Sequence, residues 1–364
     1  MSDTKKPDHI KLFSPGPIEV RKEILEAQGA WMIGHRGSDF DALYASLQEK
    51  LRKLFYSSSR VFVSTSSGTG LWEGASRNCV RDDAKVLHLV NGAFSERWAD
   101  VSERNGKQVD IIEAEWGKAV KVDQLADQLK KQHYDAVAIV LNETSTGVKT
   151  ALEQMVPIIK QYPDTLILVD AVSILGGYKI DFDTLGLDVL LTSTQKAMAL
   201  PPGLAYAAVS DRVLERAKQI KHRGYYFDFI ELENFALKNN TPSTPNISLM
   251  FASDKQLDYI LAEGLDARFA RHAKMAETVR SWAKGCGFEM FSEEGHHSPT
   301  VSCIANNRNV DVAALVKHLR GLGMAMDGGY GKLKGKTFRI AHMGDLMPAD
   351  IDELLNAINA FLSK

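Results

Sequence analysis

The chain has 364 residues, 45% of them hydrophobic and 25% charged, with a formal net charge of -2 and a pI near 6.6. Such a length suits two α/β units around a sizeable core, and the mixture excludes a disordered or fibrous chain. There is no net positive field to recruit nucleic acid, and no stretch approaches the roughly 18 apolar residues of a membrane span.

The first thirty residues carry no apolar segment flanked by basic residues and a cleavage site, so a cytoplasmic protein is expected. From residue 60 to 210, β-rich runs at 61–63, 86–90, 109–112, 136–141, 166–169, 189–192 and 204–209 alternate with longer amphipathic segments. In 122–132, for example, Val122, Leu125, Ala126 and Leu129 share one helical face. Several of the short runs are apolar without alternation, as strands covered on both faces are. The pattern predicts an α/β fold with a mostly parallel seven-stranded sheet clothed in helices.

After Pro242 and Pro245 the pattern changes to a long helical stretch over 249–284, followed by apolar runs at 301–304, 312–322, 338–341 and 351–362. These predict a smaller C-terminal α+β unit. The expected division is 15–245 for the large unit and 246–364 for the small one, with residues 1–14 packing near the small unit or a partner subunit. Cys79, Cys286 and Cys303 are far apart and form no CxxC pair, which fits reduced thiols better than a disulfide framework or zinc site; no metal is expected.

The sharpest local feature is Thr192-Ser-Thr-Gln-Lys-Ala-Met-Ala-Leu-Pro-Pro-Gly203, a lysine just beyond an apolar strand. Ligands of open α/β sheets gather outside the carboxyl ends of strands. Lys196, packed among Ala197, Met198, Ala199 and Leu200, would lose hydration and favour the neutral amine that forms a Schiff base; a lysine pointing into solvent is the competing reading. Asp170 follows four apolar residues and would be an expensive buried charge without a cation such as a protonated pyridine nitrogen, unless it caps a helix or pairs with a structural base. Ser64-Thr-Ser-Ser-Gly-Thr-Gly70 follows the first strand and opens a helical segment, a place suited to an anion. It is not GxGxxG, and 331–337 fails as a phosphate loop because the motif's first glycine would fall at Tyr330.

Val169-Asp-Ala-Val-Ser-Ile-Leu-Gly-Gly177, Ser193-Thr-Gln-Lys-Ala197 and Pro201-Pro-Gly203 together resemble the class V branch of fold-type I pyridoxal-phosphate enzymes. The likeness is greatest to alanine/serine:glyoxylate (or pyruvate) aminotransferases, with phosphoserine aminotransferase a close relative, and it runs from Ser14-Pro-Gly-Pro17 to Phe338-Arg-Ile340. It implies that Lys196 holds pyridoxal 5'-phosphate covalently and that Asp170 meets the ring nitrogen. Ser67, Gly68, Thr69 and Gln195 are implied phosphate ligands, Phe94 the platform stacked on the pyridine ring, Val172 a further cofactor contact, and Thr144 or Ser145 the hydroxyl on the phenolic oxygen.

The resemblance also implies a homodimer whose Asn240 and Thr241 complete the phosphate site of the neighbouring subunit. Arg339 is the implied carboxylate anchor, which suits a planar guanidinium. The His35-Arg36 pair resembles the phosphoserine branch and keeps a phosphoserine:2-oxoglutarate activity as the alternative to an alanine or serine donor with glyoxylate or pyruvate. A lyase or desulfurase on the same scaffold would need an exposed nucleophilic cysteine in the substrate path, and none of the three is so placed. A non-catalytic scaffold would require none of Lys196, Asp170 and Arg339.

Overall fold

The computed structural model describes residues 9–363, so the first eight residues of the expected N-terminal extension lie outside the described residues. Seven strands form the large sheet in the order Val61–Ser64, Ala205–Val209, Val189–Ser193, Leu166–Asp170, Ala136–Val140, Lys85–Val90, Gln108–Glu113. All neighbours are parallel except Ala205–Val209, which runs antiparallel to both of its own. The central strands are buried along their whole length, which is why their sequences lack alternation.

Helices such as Gly68–Cys79, Ala93–Arg104 and Val122–Lys131 make the crossovers and cover the faces. Because the parallel strands point the same way, 91–94, 142–144, 170–173 and 193–196 emerge on one side of the sheet. That edge holds every strand-end motif of the sequence.

A second sheet joins Glu289–Met290, Val301–Ala305 and Thr337–Ala341, all antiparallel. Leu265–Gly285, Val312–Gly321 and Pro348–Leu362 pack with it around a separate apolar core that includes Met275, Val279, Leu315, Phe338 and Ile358. Phe13 and Ile18 join the same core, and Lys11–Leu12 pairs in parallel with Met324–Ala325. The first described residues thus pack against the C-terminal unit.

The single helix expected over 249–284 is two, Ile247–Glu263 and Leu265–Gly285, meeting at Gly264 with φ 83°. A left-handed residue interrupts the hydrogen-bond ladder, and glycine adopts it without a side-chain clash. The halves serve different cores: Ile247, Met250, Leu257 and Ile260 pack under the large sheet, whereas Met275 and Val279 belong to the small unit.

Candidate active site

Leu166–Asp170 ends in a carboxylate only 4% exposed, tucked beneath the helix Gly68–Cys79. It accepts hydrogen bonds from Trp72 Nε1 at 2.6 Å and from the Val172 N–H at 2.6 Å, both uncharged. Burial therefore dominates and pushes the Asp170 carboxyl up to about 7, with these two bonds opposing. The helix lies close because Gly68 faces Val172, whose Cγ2 would stand 2.6 Å from any Cβ there.

Val189–Ser193 leads to a compact turn in which the Ala199 N–H bonds the Lys196 carbonyl and the Leu200 N–H bonds that of Thr194. Lys196 points back across Gly16, and its Nζ donates to the Pro15 carbonyl. A Cβ at Gly16 would lie 2.6–2.7 Å from the end of that lysine, so the glycine of the 14–17 segment makes room for it. Burial, helped by Arg339, lowers the Lys196 amine to about 8. The neutral amine is thereby far more available near neutral pH than on an ordinary lysine.

Lys196 and Asp170 line one cavity of about 420 Å³, within the roughly 300–1,000 Å³ usual for small-molecule sites. Ser67, Gly68, Thr69, Phe94, Thr144, Val172 and Gln195 line it too. Ser145 does not: its hydroxyl is donated to Glu143 at 2.6 Å and accepts from the Ala93 N–H, so Thr144 is the residue turned to the cavity. The turn carrying them is closed by pairing of Asn142–Glu143 with Val148–Lys149 and held by Gly147, φ 71°, against Cys303.

Arg339 sits in Thr337–Ala341 between Phe338 and Ile340, which face the small core, so alternation turns it the other way. It donates to Asp327 Oδ1 at 2.8 Å and to the Thr144 carbonyl at 2.9 Å, beside the cavity rather than in its wall. Arg36 lies apart, donating to the side chain of Asn240 and to the carbonyls of Thr241 and Pro242, with His35 near Thr244. His35, Arg36, Asn240 and Thr241 form a group of their own, away from the cavity within this chain.

Residues 20–332 match the model of the family described as aminotransferase class-V. The chain belongs to that family. It is 33% identical to an L-aspartate–glyoxylate aminotransferase of Paracoccus denitrificans, over 93% of this chain and 87% of the relative. It is 31% identical to a serine–glyoxylate aminotransferase of Arabidopsis thaliana, again over 93% and 87%. Among solved structures it resembles an alanine–glyoxylate aminotransferase from Nostoc sp. with TM-score 0.92 and 27% identity, covering 100% of this chain and 97% of that one.

This class-V aminotransferase works with pyridoxal phosphate, and its cavity fits that group on three counts. The buried Asp170 carboxylate has only neutral donors, and a ring N–H⁺ would supply the missing cation. The Ser193 hydroxyl and the Gln195 side-chain oxygen are buried in the wall without partners. The first turn of Gly68–Cys79 faces the same space with the N–H groups that a helix leaves unbonded.

The sequence reading missed the supports of this site. Trp72 sits one turn into the helix Gly68–Cys79 and donates to Asp170, a contact that no local pattern in the sequence announces. Arg268, buried in Leu265–Gly285, donates to the carbonyls of Gly176 and Ala197 and to Asp345 and Glu263. Gln256 bridges Asp345 to the Met198 carbonyl. The turn after Lys196, including Ala199 at φ 53°, thus rests on an ionic hub that joins both units. Arg268→Met is expected to lower folding stability by about 2–4 kcal/mol, since it strips the buried Gly176 and Ala197 carbonyls of their donor and Asp345 and Glu263 of one of their cationic partners; urea unfolding of the cofactor-free protein measures this, and a loss below about 1 kcal/mol would count against the hub.

Proposed function

We propose that the protein transfers an amino group between a small amino acid, alanine or serine, and a 2-oxo acid, glyoxylate or pyruvate, in two half-reactions. The observation that carries this reading is the pairing in one cavity of a lysine with a lowered pKa and a buried aspartate hydrogen-bonded only by uncharged donors. Names of relatives support the glyoxylate branch, one with serine and one with aspartate as donor. Arg36, which kept the phosphoserine alternative open, is occupied by its own chain's Asn240 and Pro242, which weakens that alternative.

Bound pyridoxal phosphate supplies an aldehyde and a ring that accepts electrons as the substrate α-proton leaves. Lys196 Nζ is assigned the covalent hold and then the movement of that proton. Asp170 would keep the ring nitrogen protonated; Ser67, Gly68, Thr69 and Gln195 would hold the phosphate, Phe94 and Val172 would contact the ring, and Thr144 would meet the phenolic oxygen. Arg339 turns its guanidinium from Asp327 toward the substrate carboxylate.

A homodimer in the cytosol is part of the proposal. Trp31 is 95% and Met32 63% exposed next to His35 and Arg36, apolar surface that fits burial against a second copy, with Asn240 and Thr241 reaching the partner's phosphate. The test mixes the cofactor-loaded protein with single amino acids and follows its visible absorption. Alanine or serine should convert the spectrum and glyoxylate or pyruvate restore it; conversion by phosphoserine and glutamate alone would replace the proposed substrates.

A further inference from the structure

Glu143 has no task in the chemistry assigned to Lys196, Asp170 and Arg339, yet its side chain is fully buried. A buried carboxylate is costly unless donors surround it. The N–H groups of Phe94 at 3.2 Å and Ser95 at 2.9 Å supply it from the first turn of Ala93–Arg104, where the helix dipole favours an anion. The Ser95 hydroxyl at 3.0 Å, the Ser145 hydroxyl at 2.6 Å and the Ser145 N–H at 3.2 Å complete the set. Packing is tight enough that a Cβ on Gly92 would fall 2.4 Å from Glu143 Cγ.

These donors come from two segments, one bearing Phe94 and the other adjoining Thr144, and both of those residues line the cavity. We infer that Glu143 is a positioning residue, whose carboxylate latches the Phe94 helix to the Thr144 turn and so sets the width of the slot for the flat cofactor ring. The inference rests on the proposed seating of that ring between Phe94 and Val172. Its charge reaches further: it raises the Asp170 pKa and opposes the lowering at Lys196. Removing it should make the nitrogen bound through Lys196 easier to deprotonate.

The experiment compares wild type, Glu143→Gln and Glu143→Asp. Three quantities are read: cofactor affinity from quenching of tryptophan fluorescence, the pH midpoint of the cofactor's visible absorption, and melting of the cofactor-free protein. Glu143→Gln places an amide N–H₂ among donors, so its dissociation constant should rise about ten-fold or more, and its midpoint should fall below that of wild type. Glu143→Asp keeps the charge, and should hold the midpoint near wild type while binding more weakly than wild type.

Lower melting with wild-type affinity and midpoint in Glu143→Gln is what a purely structural cap would give, and it overturns the proposal. Should that variant fail to fold, Ser145→Ala takes its place, and wild-type affinity there is equally decisive against it. Wild-type protein with no affinity for pyridoxal phosphate overturns the cofactor seating as well; unchanged variants of a wild type that binds overturn this inference alone.

Discussion

Lys196→Ala is expected to lower transamination by at least about 10³-fold, because it removes both the amine that attacks a carbonyl and the group that moves the α-proton. The loss should fall on kcat and appear together with the disappearance of a cofactor adduct trapped on the chain by borohydride. A variant with wild-type turnover would end the assignment. The same substitution carries a stability signature. The folded-state pKa of about 8 lies below the ordinary 10.5, so the buried charge penalises the native wild type fully below pH 8. That penalty fades as pH rises from about 8 to 10.5. The stability of wild type relative to Lys196→Ala should therefore climb over that interval, which paired melts of cofactor-free protein at pH 7 and pH 10 will read.

Asp170→Asn is expected to cost roughly 10²–10³-fold in kcat, the scale for removing one preorganised electrostatic partner of developing charge. Asparagine keeps the shape and an oxygen for the Trp72 N–H but cannot hold a proton on the ring nitrogen. Here the sign is opposite to that of an ordinary ion pair. The native carboxyl titrates near 7 and the unfolded one near 3.8, so between these values the native state holds a proton the unfolded state has lost. Stability of the cofactor-free wild type should decline as pH rises from about 4 to 7, relative to Asp170→Asn. Cofactor affinity should move the other way and strengthen as Asp170 ionises. A pH-independent difference between the two proteins would show that burial does not govern this carboxylate.

Both predictions concern residues at the carboxyl ends of neighbouring strands, and this explains why so much of the site was legible. A parallel sheet lays its strand ends side by side, so apolar runs followed by Asp170, by Gln195 and Lys196, or by Thr144 announce both a position and a common edge. The turn at Ser67–Thr69 follows from the same regularity, since it connects the strand Val61–Ser64 to a helix N-terminus.

Periodicity thus predicted the seven strands, whereas the residues assigned to the cavity came from the family resemblance, and the helix Ile247–Glu263, beyond the expected boundary at 245, packs on the large core. Only the tertiary structure decided what surrounds the cavity residues. It turned Thr144 rather than Ser145 to the cavity, because a buried Glu143 claims the serine hydroxyl. It broke the long helix at Gly264 and shared its halves between two cores. It tied Arg339 to Asp327 and Arg36 to Asn240, and brought Arg268 beneath the Lys196 turn. For Ser145, Arg339 and Arg268 the physical reason is the same. Burial makes polar groups find partners, and those partners lie anywhere along the chain that the fold brings near, at separations no local pattern encodes.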